Sequence, residues 1–278
     1  MSQMVDAAIT DFDTAYGNAG AIAGAETYPP RWRERAAAFR TELGAAGRAR
    51  LACPYGDGER AVYDLFLPEG TPSGLAVYVH GGYWKAFGRS EWSHLAAGAL
   101  ARGFAVAMPS YSLCPTVRIA EITRHVARFL DTVAAEVSGP IRLSGHSAGG
   151  HLVTRMICTD SPLSKATAAR IDRVLSISGV HDLRPLLKTE MNEILALDLA
   201  EARAESPALL EPQGDAALTC LVGSDELPEF RRQNTLLASA WRGLGLRTEA
   251  IEAPGRHHFD VIDALEDPAS DAVALLAG

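Results

Sequence analysis

The sequence predicts an α/β protein built on a mostly parallel central sheet with helices on both faces, and three observations predict it. Short continuous apolar runs such as Leu75–Val79 and 104–108 are what strands buried on both faces require. They alternate with stretches of helical periodicity, as in 116–137, where Ile122, Val126, Phe129, Val133 and Val137 recur on one face. One strand-to-helix junction, within 141–159, turns through Gly145-His146-Ser147-Ala148-Gly149. A serine at such a turn has its hydroxyl thrust away from the sheet.

Composition bounds the function. The chain has 278 residues and a net charge of −8. That length is enough for a large core, and no linker divides it, so one domain spanning 1–278 is expected. The acidic balance argues against nucleic acid and against an anionic membrane surface as partners. No apolar run is long enough to span a bilayer, and the first residues lack a signal-peptide pattern. A cytoplasmic location and a small-molecule partner are therefore expected, and a homodimer stays open. Cys53, Cys114, Cys158 and Cys220 are scattered, as free thiols would be. No H-x-x-E-H or similar spacing occurs, so neither a metal nor another cofactor is expected.

Taken in order, residues 6–16 read as a short helix and 17–24 as irregular. Tyr28-Pro29-Pro30 reads as a stop, and 31–43 as a helix with Trp32, Ala36, Phe39 and Leu43 on one face. This prelude, 1–45, is expected to strap across the rest of the molecule. Residues 50–54 and 59–67 read as paired strands around Tyr55-Gly56-Asp57-Gly58. The buried strand Leu75–Val79 runs into His80-Gly81-Gly82-Tyr83-Trp84. A helix is expected over 90–102, capped by Ser90 and ended by Gly103, then a strand over 104–108 followed by Tyr111. After the Ser147 junction come a strand over 171–178 and an interrupted helical stretch over 184–210, within a candidate partial lid at 183–212. A strand over 217–222, a helix over 228–244, a strand over 246–252 and a final helical region complete the pattern.

Sites on parallel sheets gather at the carboxyl ends of strands. His80, Ser147, Asp182, Asp225 and His258 all follow expected strands, so the architecture brings candidates together before any motif is invoked. Acyl transfer from a serine needs a base, an acid to orient it, and N–H donors for the oxyanion. Ser147 is the candidate nucleophile. His257 and His258 compete for the base, and Asp182 competes with Asp225 for the acid. Gly223-Ser224-Asp225 at the end of the penultimate strand favours Asp225. The N–H groups of Gly81, Gly82 and Ala148 are the expected oxyanion donors. Tyr83, Trp84, Tyr111 and Phe259 flank these positions and are candidate pocket walls.

Together these residues resemble the arylformamidase (kynurenine formamidase) group of serine α/β-hydrolases, and more loosely the hormone-sensitive-lipase-like esterases. The resemblance rests on His80-Gly81-Gly82-Tyr83-Trp84, on Gly145–Leu152, on Ser178-Gly179-Val180-His181-Asp182-Leu183-Arg184-Pro185-Leu186, on Asp225-Glu226-Leu227-Pro228-Glu229-Phe230, and on His258-Phe259-Asp260. It implies an α/β-hydrolase fold, His258 as the base, Asp225 as the acid, and cleavage of N-formyl-L-kynurenine or a similar aryl formamide in tryptophan breakdown. A carboxylesterase or thioesterase for short acyl groups is the alternative it leaves, and a binding protein on the same fold is a third. Gly17 stands where the family pattern has Asn, and His181 where an aromatic residue is expected near the substrate.

Overall fold

The alternation of strand and helix resolves into an eight-stranded sheet in the computed structural model, which describes residues 8–278. The strands are β1 (Ala49–Pro54), β2 (Val62–Phe66), β3 (Leu75–Val79), β4 (Ala105–Pro109), β5 (Ile141–His146), β6 (Ile171–Ile177), β7 (Ala217–Gly223) and β8 (Thr248–Ala253). Their order is β1-β2-β4-β3-β5-β6-β7-β8; β2 is antiparallel to both its neighbours and all other pairs are parallel. This sheet and its helices make an α/β-hydrolase fold.

The helices are α1 (Phe12–Tyr16), α2 (Asn18–Ala21), α3 (Tyr28–Ala45), α4 (Ala97–Ala101), α5 (Ile119–Ala134), α6 (Ala148–Arg155), α7 (Lys165–Ala168), α8 (Asn192–Leu195), α9 (Leu199–Ala204), α10 (Pro228–Gly243) and α11 (Asp271–Ala277). Two apolar cores sandwich the sheet, and the strand period of two divides residues between them. In β3, Leu75, Val77 and Val79 enter the core under α5, α6 and α10, while Ala76 and Tyr78 enter the one under α3, α4 and α11. That double burial is why the run carries no polar residue.

Several boundaries differ from expectation. Pro29 and Pro30 do not stop a helix; they lie in the first turn of α3, where backbone N–H groups have no intrahelical acceptor to lose. The expected helix over 6–16 shrinks to α1, capped by the Asp11 side chain on the Thr14 N–H, and its first two positions lie outside the described residues. Ser90 caps no long helix. Residues Arg89–Glu91 and Ser93–Ala96 form 3₁₀ turns before α4. Such turns eclipse i and i+3, which carries both Trp92 and Leu95 into the core. The loop between β1 and β2 extends to Ala61, closed by a Tyr55 N–H bond to the Ala61 carbonyl at 2.9 Å, so β2 starts three residues later than expected.

Candidate active site

The junction of β5 and α6 sets Ser147 at φ 55°, ψ −116°, in backbone space that a non-glycine residue occupies only under constraint. The constraint is visible around it. The Ser147 N–H bonds the Ile177 carbonyl at 2.8 Å, and the His151 N–H bonds the Ser147 carbonyl at 3.1 Å. The flanking glycines permit the close packing. A Cβ on Gly145 would sit 2.2 Å from the Gly149 oxygen, and one on Gly149 only 1.9 Å from the Val79 oxygen. Strand β5, helix α6 and the end of β3 can therefore meet at this point only without side chains there.

The turn after β3 lies against Ser147. A Cβ on Gly81 would stand 3.1 Å from the Ser147 Cβ. Among the described residues, the N–H groups of Gly81, Gly82 and Ala148 have no acceptor, so all three remain available to an oxyanion. His80 stabilises the turn: its Nδ1 is 2.7 Å from the Gly81 oxygen and its ring stacks on Tyr111 at 4.3 Å. Burial pushes the His80 imidazole down to about 3, so it stays neutral.

His258 is buried and its Nδ1 lies 2.6 Å from a carboxylate, but that carboxylate is Glu226. The Asp225 expectation is corrected by this geometry. The Asp225 side chain is exposed and accepts from the Ser224 hydroxyl at 3.0 Å, while its N–H is tied to the Arg256 carbonyl. The next residue turns inward, and its extra methylene supplies reach. The second Glu226 oxygen accepts from the Ser178 hydroxyl at 2.5 Å and the Gly223 N–H at 2.9 Å. The carboxylate is thus locked, and a proton on His258 Nδ1 leaves Nε2 free to accept one. Ser178 was missed as a supporting residue although it opens one of the diagnostic stretches. His257 takes another partner, the Tyr28 hydroxyl at 2.9 Å, and Asp182 is clamped by Arg184 at 2.7 and 2.9 Å.

Ser147, His258, Gly81 and Gly82 all line one cavity of about 340 Å³, at the lower end of small-molecule sites. Its walls are largely apolar and include Tyr16, Trp32, Tyr83, Phe87, Trp92 and Phe259. Of the five expected wall residues, Tyr83 and Phe259 line it. The other three do not. Trp84 is buried edge-on against His151, Tyr111 is held under His80, and His181 sits in the core with its Nε2 3.2 Å from the Ser176 hydroxyl. The left-handed conformation at both Tyr83 and Trp84 splits neighbouring rings between cavity and core.

The strap supplies much of the wall that sequence reasoning missed. Residues 16–20 and Trp32 come from the N-terminal segment, and Met191 from the stretch after β6. Tyr16 anchors the strap: its hydroxyl donates to Glu229 Oε1 at 2.5 Å, and its carbonyl accepts from the Tyr83 hydroxyl at 2.6 Å. His146, beside Ser147, packs against His258 at 4.6 Å; burial, reinforced by that neighbour, holds its imidazole well below the usual range. Among the described residues, no cluster of His, Cys, Asp and Glu has the geometry to hold a metal ion, and no helix is long and apolar enough to cross a membrane.

The fold and the surroundings of Ser147 define a hydrolase. The BD-FAE family model matches residues 63–211, which contain the Ser147 elbow and the glycine turn. Three vertebrate and insect relatives narrow the class. Kynurenine formamidase from Salmo salar is 31% identical over 78% of this chain and 77% of its own length. Kynurenine formamidase from Danio rerio is 29% identical over 86% of this chain and 89% of its own, and that of Drosophila melanogaster is 28% identical over 77% and 76%. The chain belongs to the kynurenine formamidase family of α/β-hydrolases. A solved Silicibacter structure, provisionally described as a thioesterase, is 51% identical, with a TM-score of 0.92 over 96% of this chain and 99% of its own. A Pyrobaculum calidifontis esterase shares the fold, at 16% identity and a TM-score of 0.66 over 90% and 93%.

Proposed function

We propose that the protein is an arylformamidase acting on N-formyl-L-kynurenine or a similar aryl formamide, with Ser147, His258 and Glu226 as its triad. One observation carries the reading: in a chain of this family, the Ser147 elbow and the Glu226-paired His258 open into one small, apolar-walled cavity. Ser147 Oγ attacks the formyl carbon while His258 Nε2 takes its proton. The N–H groups of Gly81, Gly82 and Ala148 hold the oxyanion. His258 then returns the proton to the departing aryl nitrogen. Water, deprotonated by His258, releases formate from the formyl-enzyme. A formyl group needs almost no acyl pocket, and an aryl amine leaves more readily than an alkyl amine, so this confined site suits the bond. The unpaired thiols fit a cytoplasmic setting.

The second reading is a short-chain esterase or thioesterase, favoured by the 51% identical Silicibacter structure. Turnover of N-formyl-L-kynurenine beside p-nitrophenyl acetate, by wild type and Ser147→Ala, separates the two. The formamidase reading expects the formamide to be preferred and both activities to vanish in Ser147→Ala. Ser147-dependent activity confined to the ester would replace it by the second reading.

A further inference from the structure

Lys85 is the one lysine or arginine side chain among the residues lining the cavity, and no aspartate or glutamate lines it. It follows the oxyanion glycines, in a turn closed by its N–H on the Gly82 carbonyl at 3.0 Å. Among the described residues its ammonium has neither a hydrogen-bond nor an ion-pair partner, although neighbouring arginines such as Arg60 and Arg89 are engaged. The chain is net acidic, so a half-buried, unpartnered lysine among the lining of an apolar cavity is not a consequence of excess positive charge.

A second observation is independent of Lys85. Four other residues that line the cavity carry polar atoms buried without a partner: Asn18 Nδ2, Trp32 Nε1, Trp92 Nε1 and His146 Nε2. Asn18 is itself only 6% exposed. The amide and indole nitrogens only donate; the His146 nitrogen donates or accepts by tautomer. Buried donors without acceptors are costly, and the residues that carry these atoms line the cavity.

We infer that Lys85, seconded by Asn18, reads a carboxylate on the substrate, making the site selective for acid-bearing aryl compounds over neutral ones. The inference rests on the arylformamidase reading for the identity of the scissile bond, but the recognition itself does not require cleavage. A ligand carboxylate gains a charge-assisted contact in a largely apolar pocket. A ligand ammonium finds no carboxylate there and adds nothing by charge.

The test is calorimetric titration of the Ser147→Ala protein, which cannot turn substrate over, with formanilide and with 2-, 3- and 4-formamidobenzoate. At least one of the acids is expected to bind about 10-fold or more tightly than formanilide, the range of a hydrogen bond to a charged group. In Ser147→Ala/Lys85→Met that ratio is expected to collapse towards one, while Ser147→Ala/Lys85→Arg keeps most of it. Asn18→Ala is expected to reduce it partially. Equal binding of acids and formanilide, no binding of any acid, or a Lys85→Met loss shared equally by the neutral compound would overturn the assignment. Because binding is read without hydrolysis, failure of formamide turnover in the wild type leaves this result interpretable on its own.

Discussion

Replacing Glu226 by Gln changes one atom of the carboxylate that His258 contacts. In the native arrangement one carboxylate oxygen accepts from Ser178 and Gly223, and the other faces His258 Nδ1 at 2.6 Å. The two donors on the first oxygen fix which end of a glutamine amide sits there: the carbonyl must accept them, so the NH₂ group faces His258. Nδ1 then has to be an acceptor, which forces the proton onto Nε2, the atom that receives the Ser147 proton in the proposed mechanism. The equivalent carboxylate-to-amide change in a serine triad costs about 10⁴-fold in kcat, or about 5 kcal/mol of transition-state stabilisation. Glu226→Gln is expected to lose about 10³- to 10⁴-fold in kcat, with KM little changed and the melting temperature close to that of the wild type. Asp225→Asn alters an exposed side chain and is expected to stay within about twofold. Steady-state kinetics on the preferred substrate, with a thermal melt to confirm folding, decides the matter. Full activity in Glu226→Gln, or a large loss in Asp225→Asn, would refute the tautomer argument.

Three further outcomes follow from the same contacts. Tyr16→Phe removes the donor to buried Glu229, which keeps Arg232 as a partner, and is expected to cost about 1–3 kcal/mol; urea denaturation and faster proteolysis within the strap would register it, and unchanged resistance would count against Tyr16 as its anchor. Gly149→Ala would press a methyl group into the Val79 oxygen 1.9 Å away, with an expected loss of about 3 kcal/mol or a failure to fold; a variant as stable and active as wild type would contradict the packing. His80, His151 and His181 are buried and neutral, each pushed down to about 3 from 6.5. Above 6.5 neither folded nor unfolded chain protonates them, whereas below it only the unfolded chain gains protons until about 3, so stability falls with acidification by about 2 kcal/mol per ring at pH 5. Urea midpoints at pH 7.5 and pH 5 test this, and identical midpoints would show that the rings are not held neutral.

What the sequence determined by itself is the scaffold and the kind of chemistry. Leu75–Val79 is apolar at every position because both faces of β3 are covered, so the parallel sheet was legible from the run alone. Gly145 and Gly149 were legible because close backbone approach leaves a composition signature around Ser147. Local periodicity could not decide which of two adjacent side chains turns inward. Asp225 and Glu226 both follow β7, and only the bond from the Asp225 N–H to the Arg256 carbonyl, together with the Ser178 and Gly223 donors, commits Glu226 to His258. The same holds for Tyr83 and Trp84, of which one enters the cavity and the other the core. That residues 16–20 and Trp32 would form a wall of the cavity was not legible in the sequence. Tyr16 meets Glu229 across 213 positions of chain, and a contact at that separation leaves no trace in local pattern. Tertiary packing decided the carboxylate partner of His258 and the cavity walls because both depend on side-chain direction at the ends of strands, where the backbone leaves the regular geometry that makes sequence periodicity readable.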